Sequence, residues 1–203
     1  MNPSPARLLS RIFPVFALAC TLAACGGAPR PRDFPPMSYD HLPQIRLNVA
    51  SVEVDNRIAP PSRDEVGERA PIPPIAALQQ MAQDRLKAFG NGGRAVLVIK
   101  DASLVRGRDE ISGRMAVQLD IYTSDDRRAG FATAEVAQRR SGEITDLLAT
   151  LYDLTKTMMD RMNVELEFQV RRSLRDWILP DLPAAAAGAA AVQQQSLAPP
   201  VKR

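Results

Sequence analysis

Histidine and cysteine are scarce in this 203-residue chain, which contains one histidine and two cysteines. His41 lies in a proline-rich segment outside the predicted domain, so a zinc site of the usual His/Cys kind cannot be assembled there. A Ser–His or Cys–His nucleophile lacks its parts for the same reason. The sequence has no G-x-S-x-G motif and no phosphate-binding loop. We therefore expect a protein that is not an enzyme, with no catalytic residue, metal or cofactor.

Long apolar runs and excess charge of one sign are also lacking. The stretch over 12–24 is too short to span a bilayer, which requires about 20 apolar residues. The chain has 26 Lys and Arg against 23 Asp and Glu, a formal net charge of +3. Arg7 and Arg11 precede the apolar stretch, and their removal would leave a charge near +1. This balance does not favour nucleic-acid binding.

The beginning of the chain has the composition of a secretory signal. Basic residues, a short apolar stretch and small residues follow one another over 1–24, the order typical of a signal peptide. The stretch ends in Leu22-Ala23-Ala24-Cys25, which resembles the lipobox of bacterial lipoproteins. The resemblance implies that Cys25 carries a diacylglyceryl group, becomes the mature N-terminus and attaches the protein to a lipid bilayer.

Two alternatives to this interpretation remain open. The chain could be an ordinary secreted protein whose cleavage site lies near a cysteine, or the site could be Cys20, which follows a shorter apolar stretch broken by Pro14. Cys25 is preferred, and Cys20 then leaves with the signal, which excludes a disulfide. By resemblance to enterobacterial lipoproteins, Gly26 rather than Asp after the cysteine implies the outer membrane, with the domain facing the periplasm.

Composition divides the mature chain into three parts. Residues 25–44 form the lipidated N-terminus and a proline-rich tether, of which 28–44 would reach roughly 50 Å if extended. Residues 45–180 form a single domain, and residues 181–203 form an Ala/Gln/Pro-rich tail expected to be flexible.

Periodicity within the domain predicts the order β-α-β-β-β-α. A strand begins at Ile45, with a one-residue slip near Ala50-Ser51 that suggests a β-bulge. A helix follows Pro74, with apolar residues at helical spacing as far as Phe89. Three strands precede a long helix over Glu143–Leu179. The predicted α+β fold is a four-stranded sheet with both helices packed on one face.

The clearest strand has apolar and polar residues in alternation. Its apolar set is predicted to be buried, and the intervening Gln118 and Asp120 are predicted to be exposed, because alternate residues point to opposite faces of a sheet. The apolar set is Met115, Val117, Leu119 and Ile121.

The proline-rich connection over 59–73 is long for a loop inside a domain. Long loops of this kind are functional or disordered, so it is a candidate binding loop.

The element order, together with the lipobox, resembles small envelope lipoproteins: the auxiliary lipoproteins of ABC-type lipid transport systems, the lipopolysaccharide-assembly lipoproteins and the activators of peptidoglycan synthases. The resemblance covers residues 45–179 at the level of element order. It implies a non-enzymatic adaptor or accessory component in envelope assembly or lipid transport, with an envelope protein as partner. The alternative is a lipid- or glycan-binding module with an apolar pocket between sheet and helices.

A candidate partner-binding surface lies on the long helix. Val164 and Phe168 are four residues apart and offset from the main apolar stripe, and we expect the helix to overhang the sheet here. Arg and aromatic residues are enriched at binding hot spots. The surface comprises Val164, Phe168, Arg171, Arg172 and Arg175. The alternative is that this stripe packs on the sheet or on the 59–73 loop.

Overall fold

A four-stranded sheet forms the centre of the computed structural model, which describes residues 33–180. The strands are β1 (Ile45–Leu47), β2 (Ser51–Asn56), β3 (Leu86–Ala88), β4 (Arg94–Arg106), β5 (Glu110–Tyr122) and β6 (Arg128–Ser141). The helices are α1 (Pro74–Arg85) and α2 (Leu147–Ser173), with short 3₁₀ turns at Gly67–Arg69 and Arg175–Trp177.

The order of strands in the main sheet is β2-β4-β5-β6. β2 and β4 are parallel because α1 connects them as a crossover, whereas β4, β5 and β6 form an antiparallel meander. α1 contacts β4, α2 contacts β5 and β6, and the two helices contact each other. The predicted α+β fold with a long C-terminal helix is confirmed.

The first strand and the first helix differ from the prediction. The slip near Ala50 is an interruption of the strand rather than a bulge. The residues before it form β1, which pairs in parallel with β3 as a separate small sheet. α1 ends at Arg85 instead of continuing to Phe89, because the next three residues form β3. Phe89 is consequently 49% exposed.

The second helix is shorter than predicted but unbroken. It begins at Leu147, where the Asp146 side chain accepts a hydrogen bond from the backbone N–H of Ala149 at 3.2 Å, a typical N-cap. It continues through the alternating segment 164–170 to Ser173.

The inner face of β5 is buried as predicted. Met115, Val117, Leu119 and Ile121 are each at most 1% exposed. The prediction for Asp120 was wrong, since this residue is 6% exposed although it lies on the outer face. Its carboxylate pairs with Arg128 and accepts a hydrogen bond from Gln118 at 2.8 Å, so neighbouring side chains shield it from solvent.

The folded unit begins at Phe34, before the predicted boundary at residue 45. We call Phe34–Pro43 the strap. Tyr39 in the strap is 5% exposed, and its backbone N–H donates to Asp84 Oδ2 on α1 at 2.7 Å. Cys25, the predicted signal peptide and the tail 181–203 lie outside the described residues.

Among the described helices, none combines the length and the hydrophobicity that a membrane span requires.

We expect Leu119→Ala to lower the free energy of unfolding by about 2–5 kcal/mol, because it leaves a cavity in a filled core. Thr133→Val, at an exposed outer-face position opposite Gln118, should change it by less than about 0.5 kcal/mol. Chemical denaturation of both variants measures the difference. Equal costs would mean that both faces of the sheet are covered.

Candidate partner-binding surface

The side of α2 that faces away from the sheet has an exposed apolar stripe. Val164 is 71% exposed and Phe168 is 55% exposed, whereas Leu166 and Val170, each two residues further along, are at most 1% exposed. The stripe is therefore separate from the buried stripe, and the alternative that it packs on the sheet or on the 59–73 loop does not apply.

The expected reason for this exposure was wrong, because α2 does not overhang the sheet. The helix contacts β6 and β5, and Leu174 beyond its last turn is buried close to Gly130 of β6. The stripe is exposed because a single layer of helices covers the sheet, and the outer side of that layer faces solvent.

Arginines continue the stripe toward the end of the helix. Arg171 Nε lies 2.9 Å from Glu167 Oε1, an i,i+4 ion pair. Arg172 and Arg175 are exposed, and neither forms an ion pair with another described residue. The structure thus places all five predicted surface residues on the exposed side of the chain's C-terminal region, with two cations available to a partner.

A groove of about 560 Å³ runs beside this stripe, between α2 and the strap. Val164 forms part of one wall, and strap residues from Pro35 to Leu42 form the other. The α2 residues that line it are Tyr152, Lys156, Asp160, Asn163, Val164 and Glu167, and Arg85 of α1 completes the lining.

The first half of the strap is fixed to α2 by Tyr152. The Tyr152 hydroxyl donates to the carbonyl oxygen of Pro35 at 2.9 Å. The ring centroids of Phe34 and Tyr152 are 5.2 Å apart in a tilted arrangement typical of aromatic pairs. The wall of the groove is therefore attached at its N-terminal end.

The second half of the strap is fixed by Arg85, whose side chain is 2% exposed. Its Nε and Nη2 donate to the carbonyl oxygen of Pro43 at 3.2 and 3.1 Å. Its Nη1 donates to the backbone oxygen of Asn163 at 3.0 Å and to Oδ1 of the same residue at 3.1 Å. Nη2 also pairs with Glu167 Oε2. One buried cation thus joins the strap, α1 and α2.

The Glu167 carboxylate is held in its charged form. Partial burial acts to raise the pKa of Glu167, but hydrogen bonds from Arg85 and Arg171 outweigh it and hold the pKa below the ordinary 4.5. The opposite holds for Tyr39, because burial and the nearby charges of Asp160 and Asp84 raise its pKa well above the ordinary 10. Tyr39 therefore stays neutral, and its buried hydroxyl has no hydrogen-bond partner among the described residues.

The interior between sheet and helices is filled by side chains that are essentially inaccessible. Leu97 of β4, Leu119 of β5 and Met158 of α2 are each 0% exposed. The described residues contain no group of three or more His, Cys, Asp or Glu that could hold a metal ion. The groove beside α2 is lined by the ion pairs Arg85–Glu167 and Lys156–Asp160 and by apolar side chains.

Two parts of this surface were missed by the sequence reasoning. The strap looked like a tether because it is rich in proline, although Tyr39 and Leu42 are apolar residues that such a segment can bury. Arg85 was missed although it follows Leu78 and Ala82 at helical spacing on the buried side of α1. A charged residue in an apolar stripe was the available signal.

Comparison with known proteins gives distant structural similarities. No family model matches the chain, and no curated protein matches it. A protein of Xanthomonas campestris from family DUF330 has a TM-score of 0.36 and 11% identity, covering 68% of this chain and 91% of that chain. A minor lipoprotein of Acinetobacter baumannii has a TM-score of 0.32 and 11% identity, covering 66% of this chain and 99% of that chain.

Lipoprotein GNA1162 of Neisseria meningitidis has a TM-score of 0.28 and 9% identity, covering 55% of this chain and 96% of that chain. Solved lipoproteins are thus among the structures that this chain resembles.

We expect Glu167→Gln to destabilise the protein at neutral pH, because it removes the carboxylate that pairs with Arg85. A carboxylate whose pKa is lowered in the folded state stabilises above its unfolded pKa and loses this effect as pH falls through the folded value. The difference in unfolding free energy between wild type and Glu167→Gln should therefore be constant above about pH 5 and shrink below 4.5. Denaturation across pH 2–8 measures it. A difference that does not change with pH would contradict the ion pair.

Proposed function

We propose that the protein is a bacterial lipoprotein, anchored through acylated Cys25, whose domain is a non-enzymatic adaptor in cell-envelope assembly or lipid transport. The lipobox resemblance of Leu22–Cys25 supports the anchor. Gly26 after the cysteine favours the outer membrane, with the domain in the periplasm. Two or three acyl chains would hold the protein firmly, since each buried CH₂ contributes about 0.8 kcal/mol.

The observation that supports the adaptor role is the exposed stripe of α2 beside the groove. Val164 and Phe168 expose apolar surface although the core of the domain is already filled. Arg172 lies one turn further along, without an acidic partner among the described residues. An aromatic anchor, a neighbouring cation and a groove are the features that protein interfaces combine.

The alternative, a carrier of lipid or glycan, requires an apolar pocket between sheet and helices. The residues at that position are at 0% exposure, including Leu97, Leu119 and Met158. The groove of about 560 Å³ lies on the outer side of α2, where its floor is the Arg85–Glu167 ion pair. Such a floor favours a polypeptide with polar groups over an acyl chain.

Attachment of the strap limits how far the domain can stand from the membrane. The segment from Cys25 to Phe34 covers nine residues by number (34 − 25 = 9), which extend to at most about 30 Å. The sequence alone suggested a reach of roughly 50 Å for a tether ending at residue 44. An adaptor held this close would meet partners at or near the membrane surface.

We expect Cys25→Ala to release the domain from the membrane, because the substitution removes the thiol that receives the lipid. Fractionation of cells expressing the full chain measures this, and mass spectrometry of the wild type should show a diacylglyceryl group on Cys25. A water-soluble mature wild type would overturn the anchor.

We expect a photocrosslinker placed at Phe168 to capture an envelope protein in intact cells, because this residue lies at the centre of the exposed stripe. Thr157, exposed on the same helix but beside β6 rather than the groove, is the matched control position and should give no product. Arg172→Glu should abolish the product at position 168 while leaving the melting temperature within about 2 °C. Equal products at both positions would contradict a specific surface.

A further inference from the structure

A second groove lies along the edge of β4 that faces away from β5, where the 59–73 loop closes it. We call it the edge groove. Its volume is about 570 Å³. Its floor is formed by Lys100–Ser103 of β4, and its outer wall is formed by Asn56, Ile58–Ser62, Glu65, Gly67, Glu68 and Pro73–Ile75. The function proposed above makes no use of this groove.

The floor of the edge groove is a gap in the pairing of β4. On one side, β2 ends at Asn56 and the Arg57 N–H donates to the Ile99 carbonyl oxygen at 2.9 Å. On the other side, the Val66 N–H donates to the Leu104 carbonyl oxygen at 2.7 Å. Between these two bonds lies Ala102, opposite which no strand is present among the described residues.

Alternation along the strand aims the backbone of Ala102 into this gap. The N–H and C=O of Leu104 both face the loop, since the N–H donates to Glu65 Oε1 at 2.7 Å. Backbone groups two residues apart face the same edge of a strand, so those of Ala102 face the loop as well. Neither has a hydrogen-bond partner on the loop among the described residues. An extended segment can satisfy both groups by adding to the edge.

The charge of the edge groove selects the kind of segment. Three acids line it, Glu65, Glu68 and Asp101, against one cation, Lys100. Asp101 Oδ2 lies 3.8 Å from Arg114 Nε on β5, so Glu68 is the acid that a cationic segment would pair with. Lys100 is directed to Gln118 on the outer face of the sheet, to which its Nζ donates. The remaining lining is rich in proline and isoleucine, with Pro60, Pro61, Pro73, Pro74, Ile58 and Ile75. A cationic segment with apolar and proline residues complements this surface.

The chain contains a segment with this chemistry outside the described residues. Residues 196–203 read SLAPPVKR, with two prolines, two cations and no acid. Val201 offers a backbone N–H and C=O, and Pro200 before it favours an extended backbone. The described chain ends at Pro180, whose carbonyl oxygen accepts from Arg46 of β1. The 17 residues from there to Leu197 (197 − 180 = 17) can span up to about 55 Å, more than the roughly 35 Å along β1 and β2 to the groove.

We propose that residues 196–203 bind in the edge groove, where Val201 pairs with Ala102 and the cations Lys202 and Arg203 lie close to Glu68. In this arrangement the 59–73 loop binds the C-terminal segment of the same chain. The proposal does not depend on the adaptor role. The occupied groove continues the sheet by one short strand, between β2 and residues 64–66.

Amide hydrogen exchange at Ala102 in the full chain tests the proposal. The Ala102 N–H should be protected in the wild type, and Val201→Pro should accelerate its exchange at least tenfold, because proline removes the N–H that pairs with the Ala102 carbonyl. Val192→Pro, at the other valine of the segment after Pro180, is the matched control and should leave the exchange unchanged. Val117 on β5 reports that the fold is intact in every variant.

Charge reversal gives the second measurement. Glu68→Lys should accelerate Ala102 exchange at low salt, whereas Glu143→Lys, at an exposed acid not among the residues that line the groove, should not. Unprotected Ala102 in the wild type would overturn the proposal. Protection that survives both Val201→Pro and Glu68→Lys would overturn it too, because another segment would then occupy the groove.

Discussion

The buried guanidinium of Arg85 is the contact on which the organisation of the helical layer depends. A charge that is 2% exposed is stable only with full compensation. Its acceptors come from two other parts of the chain: Pro43 in the strap, and Asn163 and Glu167, which lie one turn apart on α2. Satisfying this one cation therefore fixes the strap on α2 and orients α2 against α1, so the elements cannot move independently without leaving a buried charge unpaired.

The candidate surface is a consequence of this constraint. α2 turns its apolar stripe of Leu166 and Val170 to the sheet, which leaves Val164 and Phe168 on the outer side. The strap is held by Arg85 at one end and by Tyr152 at the other, and it forms one wall of the groove beside α2. The buried cation of Arg85 thus determines the shape of the groove between the strap and α2, although Arg85 itself is almost inaccessible to solvent.

Local pattern was sufficient to predict most of the fold. The alternation of apolar and polar residues from Met115 to Ile121 predicted the buried face of β5. Apolar residues at intervals of three and four predicted that α2 continues through the segment 164–170, whose residues also alternate like those of a strand. The prediction of the surface residues Val164 and Phe168 also rested on a local pattern, since a second stripe at i,i+4 is visible in the sequence.

What the sequence could not indicate depends on contacts between distant residues. Asp120 has the spacing of an exposed residue, and its burial requires Arg128 on the neighbouring strand. The strap has the composition of a linker, and its attachment requires Arg85, more than forty residues away. Composition describes a segment alone, whereas burial also depends on the partner, so both predictions failed for the same physical reason.

Native-state hydrogen exchange at the Tyr39 N–H measures whether the strap is attached to the helices, since this amide donates to Asp84 only when it is. This amide should be protected nearly as strongly as core amides of β5, because the strap belongs to the same cooperative unit. Exchange at the rate of an unstructured peptide, with β5 still protected, would show that the strap is a free tether and that Arg85 does not hold it on α2.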